Sequence, residues 1–254
     1  MKRPSSLAVL ILVSLLLVSC STSTDDPSST PPPTEIAVPT LFPDAPTVGE
    51  ILARVETAWP SVMSMRTTFW STGATAGATP PPTGMVTIEE VQLPADRRLV
   101  IRNEGMVTDE QVVVGGRIYM KGALVPAAIA PMVDRETWVE VNPAAVGTGS
   151  PVSMQIGYLL SPIVSPFADV SNETTGLLAT PGGSVTIDGR SCDVFTFGDP
   201  DGISHELALD AANLPCRFVQ SAGDRANVTL YEFNDPDLLI VAPSLPGVAT
   251  PVVD

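Results

Sequence analysis

The chain has 254 residues, with 28 acidic against 13 basic side chains, one His and three Cys, for a formal charge of −15. That balance excludes nucleic acid as a partner, whose phosphates are met by Lys and Arg, and excludes adsorption to anionic headgroups by charge alone. One His and three Cys leave little material for Ser-His-Asp, Cys-His or most metal chemistry, and the length fits one medium domain with non-domain segments at its ends.

Lys2 and Arg3 precede an apolar run over residues 7–18 and then Ser19-Cys20. Basic, apolar and small residues in that order read as a secretory signal over residues 1–19. The run is shorter than the ~20 residues that a membrane-spanning helix needs. Leu17-Val18-Ser19-Cys20 resembles the bacterial lipobox. The resemblance implies that the Cys20 thiol receives a diacylglycerol and becomes the new N-terminus, with the rest of the chain outside the cytoplasm and anchored to the cell membrane. Each buried acyl CH₂ contributes ~0.8 kcal/mol, so two or more chains (palmitate-like in length) hold such an anchor stably. Residues 20–46 then carry Pro31-Pro32-Pro33, Pro39, Pro43 and Pro46 with acids and no base. This composition reads as a disordered tether, reaching up to roughly 80 Å if extended as polyproline II.

Order is expected from Thr47 to Pro243. Thr47-Val48-Gly49-Glu50 fits a capping box, and Val48, Ile51, Leu52, Val55, Trp59 and Val62 fall on one face of a helix ending near Pro60. From residue 63 the apolar period changes to two. Short β-rich runs at 85–93, 98–102, 111–114 and 117–121 alternate with turn signals, of which Gly115-Gly116 is a two-residue hairpin. A second series over residues 184–233 contains the Asp188-Gly189 hairpin. Between the two series, Ser150-Pro151 starts a helix with Val152, Ile156, Leu159 and Leu160 on one face, and residues 123–133 read as a broken helix. Residues 244–254 read as a disordered tail.

The hairpin registers predict the faces. Val113 opposes Ile118 and Gln111 opposes Met120, while Val112, Val114, Arg117, Tyr119 and Lys121 share the other side, which the charges mark as solvent. The same reasoning turns Leu99, Ile101, Val185, Ile187, Cys192, Val194, Leu207, Leu209, Cys216 and Phe218 inward. The pattern describes an α+β domain: a long curved antiparallel sheet with one apolar face and a few covering helices. That face and its helices form either a closed, dry core or a cavity lined by branched aliphatics. The cavity candidates are Ile51, Val55, Leu99, Ile101, Val113, Ile118, Met120, Ile156, Leu160, Val185, Ile187, Val194, Leu207 and Phe218.

The order of parts resembles the mycobacterial envelope lipoproteins of the LppX/LprG type and, more distantly, the LolA-like lipoprotein carriers. The residues behind the resemblance are the lipobox Cys20 with its tether, the capped helix, Gly115-Gly116-Arg117-Ile118-Tyr119 and the Trp138–Pro143 strand. They continue with the insert helix, Ile187-Asp188-Gly189, Leu214-Pro215 and the final Asp237–Pro243 run. The resemblance covers residues 47–243. It implies a half-barrel around helices with a hydrophobic cavity for acylated lipids or glycolipids. LolA-like domains also serve as envelope sensors, so a closed-cored domain that binds another envelope protein is the alternative. Cys192 and Cys216 depart from those lipoproteins. In an oxidising compartment they form either a disulfide or two buried thiols. A strict meander would set them two strand spacings apart, ~10 Å, and a bridge needs the intervening strand to end near Asp210.

No enzyme, metal or cofactor is expected. Ser204, His205 and Glu206 are neighbours on a strand and cannot form a relay. Glu89 and Glu90 point to opposite faces and cannot act as a paired acid and base. Residues 199–202 lack the length and the terminal Glu of a calcium loop, and the two sequons, at Asn172 and Asn227, carry no weight in most bacterial hosts.

Overall fold

The computed structural model describes residues 45–73, 79–81, 83–126, 130, 133–146, 149–168, 170, 172–199 and 201–246. Cys20, the leader, most of the tether, part of the 123–133 segment and the end of the tail lie outside the described residues.

Helix α1 spans Val48–Ala58 and starts with the capping box: Thr47 N donates to Glu50 Oε2 (2.8 Å) while Glu50 N donates to Thr47 Oγ1 (3.2 Å). Its stripe Val48, Ile51, Leu52 and Val55 is buried, and a 3-10 turn over Trp59–Ser61 carries the chain into the sheet. The strands are β1 (Ser64–Gly73), β2 (Met85–Gln92), β3 (Asp96–Asn103), β4 (Met106–Val114), β5 (Arg117–Gly122), β6 (Val139–Val141), β7 (Thr180–Ile187), β8 (Arg190–Gly198), β9 (Ser204–Asp210), β10 (Pro215–Ala222) and β11 (Arg225–Phe233).

They form one open antiparallel sheet of 11 strands, ordered β6-β5-β4-β3-β2-β1-β11-β10-β9-β8-β7. Two meanders thus meet where β1 pairs with β11. The two-residue turns at Gly115-Gly116 and Asp188-Gly189 have positive φ at both positions, which matches the right-handed twist of the strands that they join. Between the edge strands β6 and β7 the chain forms α2 (Pro151–Leu159), capped by Ser150, and the short α3 (Asn172–Thr175).

The helices lie on one side of the sheet and bury two separate apolar clusters there. The first joins the α1 stripe to Met65, Val91, Leu207, Leu209 and Tyr231. The second joins Ile156 and Leu159 of α2 to Leu99, Val113, Ile118, Met120 and Val141.

The far side is not the solvated face that its charges predict. Trp70, Val86, Val219 and Val228 bury one another on it. Val112 and Tyr119 are buried beneath Leu238 and Ile240, with Leu245 packed alongside, so the chain after β11 straps back across β4 and β5. The charges between these apolar patches form a ladder. Glu232, Arg66, Glu90, Arg98, Glu110 and Lys121, one from each of six adjacent strands, are linked at 2.9, 2.9, 3.2, 2.6 and 3.0 Å. Arginine and lysine therefore marked an ion network here, not a bare water face.

Cys192 and Cys216 are bridged, with Cα atoms 6.6 Å apart. Cys192 pairs with Asp210, the last residue of β9, and β10 carries a bulge between Pro215 and Arg217. The bulge adds one residue to β10 and lets Cys216 and Arg217 share the far side. The intervening strand thus ends where a bridge requires it to. The sidedness read from sequence is corrected, however: Val185, Ile187, Cys192, Val194 and Cys216 surround the bridge on the far side, away from the helices.

Candidate functional site

Of the proposed lining residues, Ile51, Val55, Leu207 and Phe218 belong to the first helix-side cluster, and Leu99, Val113, Ile118, Met120 and Ile156 to the second. Ile101 is half-buried on the same side, outside both. Leu160, the C-cap of α2, is 46% exposed, and Leu159 takes the inward position instead. Val185, Ile187 and Val194 are corrected to the far side, as above.

Between the two clusters lies polar chemistry that the sequence did not single out. Strand register puts Glu89 of β2 beside Leu99 of β3, and Leu99 beside Gln111 of β4, in one row. Glu89 Oε1 is 3.2 Å from Arg97 Nε, and Tyr158 of α2 donates from its hydroxyl to Glu89 Oε2 (2.8 Å). Arg97 Nη1 donates to the Tyr158 carbonyl (2.5 Å), and its guanidinium lies 4.8 Å from the Tyr158 ring centre. This knot fastens α2 to the sheet. Arg97 is 5% exposed. Burial pushes the Glu89 carboxyl above its ordinary range, against the pull of Arg97 and of the Tyr158 hydrogen bond. Burial, followed by the Glu89 charge, raises the Tyr158 phenol.

Gln111 is fully buried, and neither its amide nitrogen nor its oxygen has a hydrogen-bond partner among the described residues. Leaving one such group unpaired in an apolar interior costs about 1–3 kcal/mol. The only sequence signal for it was a polar side chain at an inward register position opposite Met120, two residues before Val113.

One row further along the strands, about 7 Å away, the side facing the helices changes character. Phe69, Thr87 and Ile101 lie side by side and half-buried, and beyond them Met85 and Met106 are 54% and 68% exposed. No apolar cluster among the described residues takes them up. Asp109, itself buried, lies opposite Ile101, and Asn103 lies between Met85 and Met106, so a mixed strip, with Phe69, Ile101, Met85 and Met106 as its apolar members, leads from solvent towards the Gln111 row.

A hollow of about 410 Å³ lies on the solvent side of α1, lined by Glu50, Arg54, Thr57 and Asn213 among others, and a second of about 10 Å³ lies beside Lys121 and Arg135. Neither sits between sheet and helices. There the side chains are packed against one another, with Val55, Met120 and Leu207 fully buried.

His205 lies on the helix side, stacked between Phe197 (4.9 Å) and Phe218 (5.8 Å), with Nε2 3.1 Å from Asp199 Oδ2. Ser204 and Glu206 point the other way. Asp199 Oδ1 accepts from the amides of Asp201 and Ile203, which makes this segment a turn. Among the described residues no three metal-ligating side chains gather, and no helix is long and apolar enough to cross a membrane.

No protein-family model matches the chain, and no characterised protein sequence matches it. Among solved structures it is similar to LprF from Mycobacterium bovis, with 14% identity, 79% of this chain and 99% of that one covered, and a TM-score of 0.48. It is also similar to the lipoprotein LppX from Mycobacterium tuberculosis, with 13% identity, 76% and 98% covered, and a TM-score of 0.42. A third is the MucA/MucB complex of Pseudomonas aeruginosa, with 17% identity, 78% and 58% covered, and a TM-score of 0.40.

Proposed function

We propose that the chain is a non-enzymatic, extracytoplasmic lipoprotein, anchored through acylated Cys20, whose domain takes up an acylated molecule along the helix-facing side of its sheet. The observation behind this reading is the break in the interior. Two apolar clusters stand on one sheet face, a mixed strip that carries Phe69, Ile101, Met85 and Met106 runs in from solvent, and a buried amide without a partner among the described residues lies at its inner end. Uptake is driven by apolar burial, at about 25 cal/mol per Å². The chain of the ligand lies along Met106, Ile101 and Phe69 and displaces the end of α2 that the Tyr158 knot secures. The tether lets the domain work away from the bilayer while remaining attached to it.

The test is a Cys20→Ser chain, otherwise complete, secreted from a bacterial host and extracted into organic solvent. Mass spectrometry is expected to find acyl lipid near one molecule per protein, or to find it after incubation with membranes. A chain that neither carries nor loads any lipid overturns the reading. Radiolabelled palmitate is expected to enter the native chain and not the Cys20→Ser chain.

The packed interior favours a second reading: an interaction domain that holds another envelope protein on its surface. Recovery of a stoichiometric protein partner, with no lipid in the extract, is the outcome that selects it.

A further inference from the structure

We infer that Gln111 sets the ligand class: the bound chain carries an uncharged group that both donates and accepts a hydrogen bond, an amide or a hydroxyl, and does not present a phosphate or carboxylate there. The inference rests on the apolar-ligand reading above and narrows it.

A primary amide offers two donors and an acceptor. At Gln111 both ends are buried and unpaired among the described residues. Two unpaired atoms of opposite polarity on one side chain are satisfied by a single group of mixed polarity, and an ester, which only accepts, leaves the Gln111 oxygen orphaned. An anion fits worse. The guanidinium of Arg97 is already ion-paired with Glu89 and bonded to the Tyr158 carbonyl, so a phosphate at Gln111 would draw no free charge from it and would lie two strands from the Glu89 carboxyl. Apolar neighbours complete the argument. Leu99 and Met120 flank Gln111 on the adjoining strands, and both are buried. A chain that displaces the end of α2 therefore meets hydrocarbon on either side of one polar group, and the strip through Ile101 and Met106 provides the way in.

Three probes of equal chain length separate the possibilities: oleamide, oleyl alcohol and methyl oleate, titrated against the Cys20→Ser chain by displacement of a fluorescent fatty probe. Oleamide and oleyl alcohol are expected to bind about tenfold more tightly than methyl oleate, the size of one good buried hydrogen bond. In Gln111→Met, which keeps the volume and removes both polar atoms, methyl oleate binding is expected to stay within about twofold while the preference disappears. The unliganded Gln111→Met protein is also expected to melt at a higher temperature, because an orphaned pair has been removed. A purely structural role, with Gln111 bonded inside the unliganded protein, moves the melting temperature the other way. Equal affinity for all three probes in the unmutated chain overturns the inference and leaves the apolar-ligand reading standing. Failure of every probe to bind overturns the reading itself.

Discussion

The two faces of the sheet handle charge in opposite ways. On the far side, six charges from six strands alternate in sign and satisfy one another, and most remain partly open to water. On the helix side, Glu89 and Arg97 are buried together with the Tyr158 phenol, and the Gln111 amide, two strands from Glu89, has no partner among the described residues. Such a ladder is a redundant structural device, since each of its four inner members has two partners. A solitary buried knot has no redundancy, so it is where the loss of one group has the largest effect and where a bound molecule has the most to gain.

The sharpest way to break this contrast is Arg97→Ala. It strands Glu89 in the interior, and breaking a buried pair by removing one partner typically costs 3–5 kcal/mol. Urea unfolding is expected to show a loss of about that size. The double variant Glu89→Leu with Arg97→Met, which removes both charges, is expected to recover most of it. Equal losses in the single and the double variant would show that the guanidinium matters through packing alone.

Next in size is the bridge on the far side. Cys192 and Cys216 close a loop with a sequence separation of 24. Removing such a constraint, as Cys192→Ala with Cys216→Ala, is expected to destabilise by about 3 kcal/mol, with no change in lipid binding because the bridge faces away from the helices. The ladder should be softer still. Glu90 links Arg66 and Arg98, and Glu90→Gln is expected to lose about 1 kcal/mol at low salt and less at high salt. A salt-independent loss would mean that the ladder is not electrostatic.

What sequence reasoning reached, and what it did not, divides along the same physical line. Local chemistry was legible. Thr47 and Glu50 announced the first helix because a hydroxyl and a carboxylate three residues apart meet both ends of the cap. The two hairpins were set by turns that demand positive φ at Gly115-Gly116 and Asp188-Gly189. Register within each hairpin followed, including Gln111 opposite Met120. Parity, however, does not say which face turns inward when both are apolar. On β8, Cys192 and Val194 alternate with Phe195 and Phe197, and either set could serve as the core. The bulge at Cys216 then shifts parity within β10, and no residue there signals it. At the end of α2, Leu159 and Leu160 are equally apolar, and nothing in their order says that Leu159 is the one buried. The Glu89–Arg97–Tyr158 knot joins two neighbouring strands to a helix some sixty residues later, and only the folded arrangement brings these residues together.

The smallest effect is also the one that separates the faces most cleanly, because two carboxylates titrate with opposite sign. Burial raises Glu89 on the helix side, so the folded state holds its proton at pH values where the unfolded chain has released it. Stability attributable to Glu89 is therefore present at acid pH and falls as pH rises from the ordinary carboxylate range towards the raised value. Glu140, hydrogen-bonded by Arg117 on the exposed far side, lies below its ordinary range. Its contribution is present above the ordinary carboxylate range and is lost as pH falls through the lowered value. Urea midpoints followed from about pH 3 to about pH 8 are expected to flatten on the neutral side in Glu89→Gln and, by less, on the acid side in Glu140→Gln. If Glu89→Gln instead flattens the acid side, the carboxylate is held ionised by Arg97 and Tyr158, and the interior knot is an ion pair of the same kind as the ladder across the sheet.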